Sequence, residues 1–358
     1  MGLPWYCTRE DVQRALDVKE TARSSRQVDR AIEASSREIE GCLHRTFYPE
    51  LTTRSFDWPS PDRSRSWRLW LNQHELISIT TLVAGGVTID PGDVLLYPAS
   101  GPPYNRVEVN LGSSAAFASG DTHQQAISLA GLYGGCLDAS APAGELAAAV
   151  LTTTASTVDV SDAAAVGVGD LLKVGDERMI VTGRSMLDTA QTLSANLGAS
   201  AAAVTVAVAD GTGYAVDEVI LIDSERMLIV DIAGNALTVK RAWDGSVLAA
   251  HTSGADVYAP RRLVVERGAV GTTAASHSNG VTIVKHVPPG PVVALCVGLS
   301  LAQLLGEQSG YARPESRSGS SNTASSSRPR NQEPGVGLAA LWESAYASCG
   351  RKGRVRGV

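Results

Sequence analysis

Between residues 28 and 43, apolar or small side chains recur every third or fourth position. Val28, Ala31, Ile32, Ser35, Ile39, Cys42 and Leu43 share one stripe, while Arg30, Glu33, Arg37 and Glu40 lie largely off it. That spacing predicts an amphipathic helix ending near His44, where Arg45-Thr46-Phe47-Tyr48-Pro49 breaks the pattern. A shorter helix precedes it. Thr8 and Asp11 form a capping-box pair, and Val12 and Leu16 then share a face. Beyond Pro49 the period changes to strand type. Short strands are expected over 54–58 and 67–71, over 76–83 up to the Gly85-Gly86 turn, and over 94–97, 107–109 and 125–129.

From about Leu137 two internal repeats overlap. Glu177-Arg178-Met179 recurs as Glu225-Arg226-Met227, 48 positions on. Each copy follows an apolar run, 171–174 or 219–222, so each reads as a β-hairpin turning at Gly175-Asp176 or Asp223-Ser224. Arg241, Gly245, His251 and Gly254 match Arg267, Gly271, His277 and Gly280, 26 positions on. Strands 237–240 and 263–266 precede them, and the segment reads as duplicated small β units. The apolar pattern turns helical again after Pro288, Pro289 and Pro291 and runs to about Gln308. Residues 309–335 read as a flexible linker rich in Ser, Gly, Arg and Pro. A last helix carries Leu338, Leu341, Trp342, Ala345 and Cys349 on one stripe.

Charge sharpens this division. The chain of 358 residues has a net charge of −6, which argues against a whole-chain nucleic-acid binder. Residues 1–136 carry net −3, 137–260 net −10 and 261–358 net +7. The tail Arg351, Lys352, Arg354 and Arg356 fits nucleic-acid phosphates, an acidic protein surface or simply a solvated terminus, and four charges alone do not decide among them. Five scattered cysteines without a Cys-x-x-Cys pair point away from a disulfide framework or zinc site and toward a reducing compartment. No export signal is expected at the N-terminus, and the apolar run 291–305 reads as a buried helix rather than a membrane span.

Candidate chemistry is sparse. Ser300 in Gly298-Leu299-Ser300-Leu301-Ala302 loosely fits a nucleophile elbow, but lies inside a continuous helical pattern. Gly167-Val168-Gly169 and Gly211-Thr212-Gly213 read as turns. His251 and His277 lack ligand-spaced partners within their units, so each is expected to hydrogen-bond within its turn, with Gly245 or Gly271 supplying positive φ. The Glu-Arg pairs at 177–178 and 225–226 read as solvated strand ends. Catalytic, metal and cofactor-binding residues are therefore expected to be none.

The order of these features carries a resemblance. The capped helix, then the amphipathic helix ending Ile39-Glu40-Gly41-Cys42-Leu43-His44-Arg45-Thr46-Phe47-Tyr48-Pro49, resembles the start of head–tail connector (adaptor, head completion) proteins of long-tailed phages. Arg54-Ser55-Phe56-Asp57-Trp58, Leu69-Trp70-Leu71, the stretch Leu95 to Tyr104 and Val287-Pro288-Pro289 resemble the versions in phages of actinobacteria. The resemblance covers roughly 1–136 and 287–310 and implies an α+β fold. It would comprise a helical connector core (N-terminal helix pair plus C-terminal helices) with short β-strands and a large inserted all-β repeat domain. The expected divisions are 1–136 connector core, 137–286 inserted β-repeat domain, 287–308 core helix, 309–335 linker, and 336–358 C-terminal helix and basic tail.

The resemblance also implies a non-enzymatic virion protein of the head–tail neck, assembled in the host bacterial cytoplasm. Its copies would form a ring, usually a dodecamer, beneath the portal protein. The ring would extend the DNA channel without sequence-specific binding or a membrane, and join the next neck (stopper) or tail protein. Val28, Ile32, Ile39 and Leu43 are the expected ring interface. Leu338, Leu341, Trp342, Arg351, Lys352, Arg354 and Arg356 are the expected portal-docking residues, on a helix that leaves its own protomer. The alternatives are a tail or decoration protein whose β repeats bind a surface or glycan, and a hydrolase using His251 or His277.

Overall fold

The computed structural model describes residues 2–16, 24–60, 65–148, 152–310 and 336–351. Among the described residues the regular structure is mostly β-sheet, in three sheets, and four α-helices sit in pairs toward the two ends. This corrects the expected α+β fold of a helical core carrying an inserted repeat: the strands are the body of the molecule. The expected linker 309–335 falls almost wholly outside the described residues.

Two helices open the chain. In α1 (Arg9–Leu16) the capping box forms as its residues require: Thr8 N–H donates to Asp11 at 3.0 Å, and Asp11 N–H donates to the Thr8 hydroxyl at 3.1 Å. In α2 (Ser25–Leu43) the Ser24 hydroxyl caps Gln27 N–H, and His44 stops the helix in the left-handed region at φ 53°.

The next strands form two small sheets around one core. One has the order β1 (Glu50–Phe56), β7 (Ile127–Tyr133), β3 (Leu76–Ala84), β4 (Val87–Ile89); the other is β2 (Arg68–Trp70), β6 (Arg106–Val109), β5 (Val94–Tyr97). The expected Gly85-Gly86 hairpin joins β3 to β4, with Ala84 opposite Val87. Leu69, Leu71, Leu76, Leu82, Val107, Ile127 and Leu129 are buried between the two sheets.

The ten-stranded sheet holds the repeats, and its topology is nested. Unit A comprises β8 (Ser140–Glu145), β9 (Thr157–Asp159), β10 (Leu171–Val174), the first half of β11 (Glu177–Thr192), the second half of β16 (Asp256–Glu266) and β17 (Thr282–His286). Unit B lies between the halves: β12 (Thr205–Ala207), β13 (Val219–Ile222), β14 (Glu225–Ala233) and β15 (Ala236–Lys240). Strands β11 and β16 run antiparallel through both units as a ribbon.

Equivalent positions superimpose in detail. Hairpin β10–β11 pairs Val174 with Glu177, and β13–β14 pairs Ile222 with Glu225. Each unit has a bulge at the same place, after Val181 and after Ile229. Val158 faces Leu263 as Val206 faces Leu237. The two units bury separate cores, and the core of unit B draws only on residues 193–257.

Candidate functional site

The most elaborate polar structures in the chain are two buried clasps, one per unit, assembled from the repeated Glu, Arg and His. In unit B, Arg241 donates from Nε and Nη2 to the two Glu225 oxygens, both at 2.7 Å. Its other donations go to the carbonyls of Gly198, Ala203 and Ala249. A guanidinium has five N–H donors, and all five are used. Glu225 also accepts from the amides of Ala242 and Ala249, and His251 Nε2 lies 3.0 Å away.

Unit A repeats this bond for bond. Arg267 grips Glu177 at 2.6 and 2.7 Å and donates to the carbonyls of Thr152, Ala155 and Ala275. Gly268 N–H, Ala275 N–H and His277 Nε2 complete the shell. The left-handed turn that offers these amides recurs too, at Ala242 and Asp244 and at Gly268 and Val270. Gly245 and Gly271 take positive φ as expected. The units differ at one point. His251 Nδ1 meets Asp223 at 2.7 Å, whereas unit A has Gly175 at that turn position.

The Glu side chains are therefore not solvated strand ends. Both carboxyl groups are fully buried. Burial by itself raises a carboxyl pKa, but the Arg bonds and backbone amides outweigh it and hold each at about 2. The histidines bond to glutamates across the unit rather than within their turns. With five donors around each carboxylate, neither oxygen is left for a metal or substrate. These are fasteners, closing loops that the sheet ladder leaves open. Glu177 and Arg267 are 90 positions apart, Glu225 and Arg241 only 16. The difference of 74 is the length of the interruption, which sequence reasoning missed.

Among the described residues no group of three or more His, Cys, Asp and Glu is placed to hold a metal. Ser300 is buried mid-helix in α3 (Gly290–Gly310), donating to Cys296 O at 2.8 Å and lying 3.2 Å from Ser35 Oγ, with no elbow.

The second candidate region is where the chain ends meet. Helices α1, α2, α3 and α4 (Val336–Cys349) pack into one cluster. Helix α3 alone among the described residues is long and apolar enough to cross a membrane, but Val292, Leu295, Cys296, Leu299 and Leu304 are buried in this cluster. Val28, Ile32, Ile39 and Leu43, expected as a ring interface, are at most 1 % exposed and face this same internal core. A stripe declares that it will be buried, not against what; here the partner is the chain itself.

The expected portal-docking residues are likewise drawn inward. Leu338, Leu341 and Trp342 pack against the cluster, with Leu341 lying over Gly298 of α3. The helix thus folds back rather than leaving its protomer. Arg351 bonds the Asn72 carbonyl; Lys352, Arg354 and Arg356 lie outside the described residues.

Unit A is welded to this cluster. Leu171, Ile180, Ala269 and Val270 belong to its core. Arg9 N–H donates to Val168 O, and Glu10 accepts from Val168 N–H and pairs with Arg184 at 3.2 Å. Between the helices and β1 lies a cleft of about 600 Å³ lined by His44, Arg45, Arg54, His74, Glu75 and Arg351. Arg45 and Glu75 pair there at 2.6 Å. Burial, with Arg54 and Arg351 nearby, holds the His74 pKa below its ordinary value.

No family model matches this chain, no curated protein matches it, and no solved structure matches it.

Proposed function

We propose that the chain is a structural protein of a phage particle. In this reading it is a head-to-tail adaptor whose copies form a ring beneath the portal, extend the DNA channel and join the head to the next neck or tail protein. The observation that carries the reading is the convergence of the chain ends. Helices preceding the strands and helices following them build one cluster, in the regions where the sequence resembles connector proteins. The polar side chains with the densest bonding are consumed as internal fasteners, which suits a protein whose task is to hold shape.

Charge supports the orientation. Unit B with its flanking ribbon ends, residues 189–257, carries eight acidic and three basic side chains, and would repel DNA if it lined a channel. It therefore faces outward in a closed ring. Because Val28, Ile32, Ile39 and Leu43 are used internally, contact between copies falls on other faces.

Electron microscopy of the purified chain, alone and mixed with portal rings, tests the reading, together with gold labelling of particles. Rings on the portal and label at the neck are expected. A chain that never joins the portal overturns it, and label along the tail or over the head surface favours the tail or decoration alternative.

A further inference from the structure

The N-terminal strap, residues 3–8, is held on two sides. Trp5 N–H reaches Gly169 O of unit A at 3.4 Å. Tyr6 N–H donates to Ser36 Oγ of α2, and the Tyr6 hydroxyl donates to Glu40 at 2.5 Å. On its third side the strap meets α3 through sulfur. Cys7 Sγ and Cys296 Sγ are 3.3 Å apart, in contact but unbonded, and both side chains are buried. The two residues are 289 positions apart in sequence, so the fold alone brings them together.

Their surroundings divide the labour between them. Cys7 lines a cleft of about 170 Å³ that Trp5, Tyr6, Thr8 and Lys285 also border, whereas Cys296 lies behind it and does not line the cleft. Ser36 Oγ lies 3.4 Å from Cys296 Sγ. The hydrogen bond from Cys7, then those of Ser36, the Tyr6 backbone and Ser300, pull the Cys296 thiol below its ordinary pKa against the opposing effect of burial. The bond to Cys296 and burial push Cys7 up. Of the two thiols, Cys296 is thus the one that ionises more readily and Cys7 the one that holds its proton.

We propose that Cys7 and Cys296 are a paired oxidation site, at which a small hydroperoxide entering the cleft converts the two thiols into a disulfide that fastens the N-terminal strap to α3. In the first step Cys7 hands its proton to the Cys296 sulfur 3.3 Å away, and the Cys7 thiolate so formed attacks one peroxide oxygen. The O–O bond breaks, and the departing hydroxide takes that proton from Cys296 to leave as water, giving a sulfenic acid. In the second step Cys296 thiolate attacks that sulfur. The S–S bond forms, the S–O bond breaks, and the second hydroxide leaves as water by taking back from solvent the proton that Cys296 released on ionising. Two thiols and one hydrogen peroxide become one disulfide and two waters. Sequence reasoning passed over the pair, because five scattered cysteines carry no spacing signal.

The test uses the full chain with the exposed Cys42 replaced, Cys42→Ser. The folded protein is treated with hydrogen peroxide, then denatured and alkylated, and its peptides are mapped by mass. The expected result is a loss of two hydrogens, a linked peptide pair carrying Cys7 and Cys296, and reversal by dithiothreitol. The melting temperature should rise by roughly 5 °C, as closing a long loop predicts. Cys7→Ser and Cys296→Ser should each abolish the rise. Alkylation of both cysteines after peroxide treatment, their conversion to sulfinic or sulfonic acid, or a bridge linking Cys136 to Cys349 instead overturns the proposal. If a Ser variant does not fold, the peptide map of the Cys42→Ser chain decides alone.

Discussion

Replacing Arg241 by alanine should unfold one β unit and spare the other. Arg241 is 3 % exposed and Glu225 fully buried, so the substitution strands a carboxylate away from water. It also leaves the carbonyls of Gly198, Ala203 and Ala249 without this donor. Breaking a buried, hydrogen-bonded ion pair from one side costs about 3–5 kcal/mol. The whole shell around Glu225, made by Arg241, two backbone amides and His251 together, is worth the same scale. Holding a carboxyl at about 2, when it titrates near 4.3 in the open chain, corresponds to roughly 3 kcal/mol of stability at neutral pH. Because the core of unit B uses only residues 193–257, that loss is a large share of what holds this unit and a small share of what holds the rest. Trp243 is the single tryptophan in that span among six in the chain, and subtracting the emission of a Trp243→Phe variant isolates its signal. Urea titration followed at Trp243, with hydrogen exchange read peptide by peptide, should show early loss confined to unit B. A penalty under about 1 kcal/mol would mean that the clasp is ornamental. Protection lost evenly across units A and B would mean that they are not separate cooperative blocks.

Four further outcomes follow from the same geometry. Both clasp carboxyls are depressed to about 2, so their stabilisation is full above about pH 5 and is lost as pH falls toward 2; Glu225→Gln should flatten the acid limb of a stability-versus-pH curve for unit B. Deleting 189–257 and joining Asp188 to its cross-strand neighbour Tyr258 through Asn-Gly should leave a folded remainder with unchanged melting of the helices. Deleting 140–284 should instead collapse it, since Leu171, Ile180, Ala269 and Val270 leave the helical core, and circular dichroism distinguishes the two. Gly298→Val should loosen α4, because even a Cβ at 298 would sit 2.9 Å from Leu341 Cδ1; faster limited proteolysis at 336–351 is the readout, and unchanged cleavage would refute the packing.

Local signals were legible where the partner is local. The Thr8–Asp11 box, the end of α2 near His44, the β3–β4 turn and both Glu-Arg-Met hairpins follow from residues within a few positions of one another. What failed was everything decided at long range. Alternation within a strand made Glu177 and Glu225 look like exposed ends, because the arginines that bury them arrive 90 and 16 positions later. The Val28–Leu43 stripe is a buried face apart from the exposed Cys42, yet its partner, α3, lies beyond every described strand. The two repeat spacings, 48 and 26, looked like separate repeats. Only one unit interrupting its own duplicate reconciles them.

That interruption makes the architecture recursive. Unit B occupies the tip of the ribbon that β11 and β16 form in unit A. The same tip in unit B is the short turn at Gly234-Asn235 between β14 and β15. In unit B that turn is closed off: Asn235 donates to the Ala209 carbonyl and its side-chain oxygen accepts from Gly211 N–H. In unit A the ribbon instead runs on through further bulges, between Ser185 and Leu187 and between Asp188 and Gln191, into the inserted copy. The molecule is thus a nested pair, an open outer module that received its duplicate and a sealed inner one that ends the series.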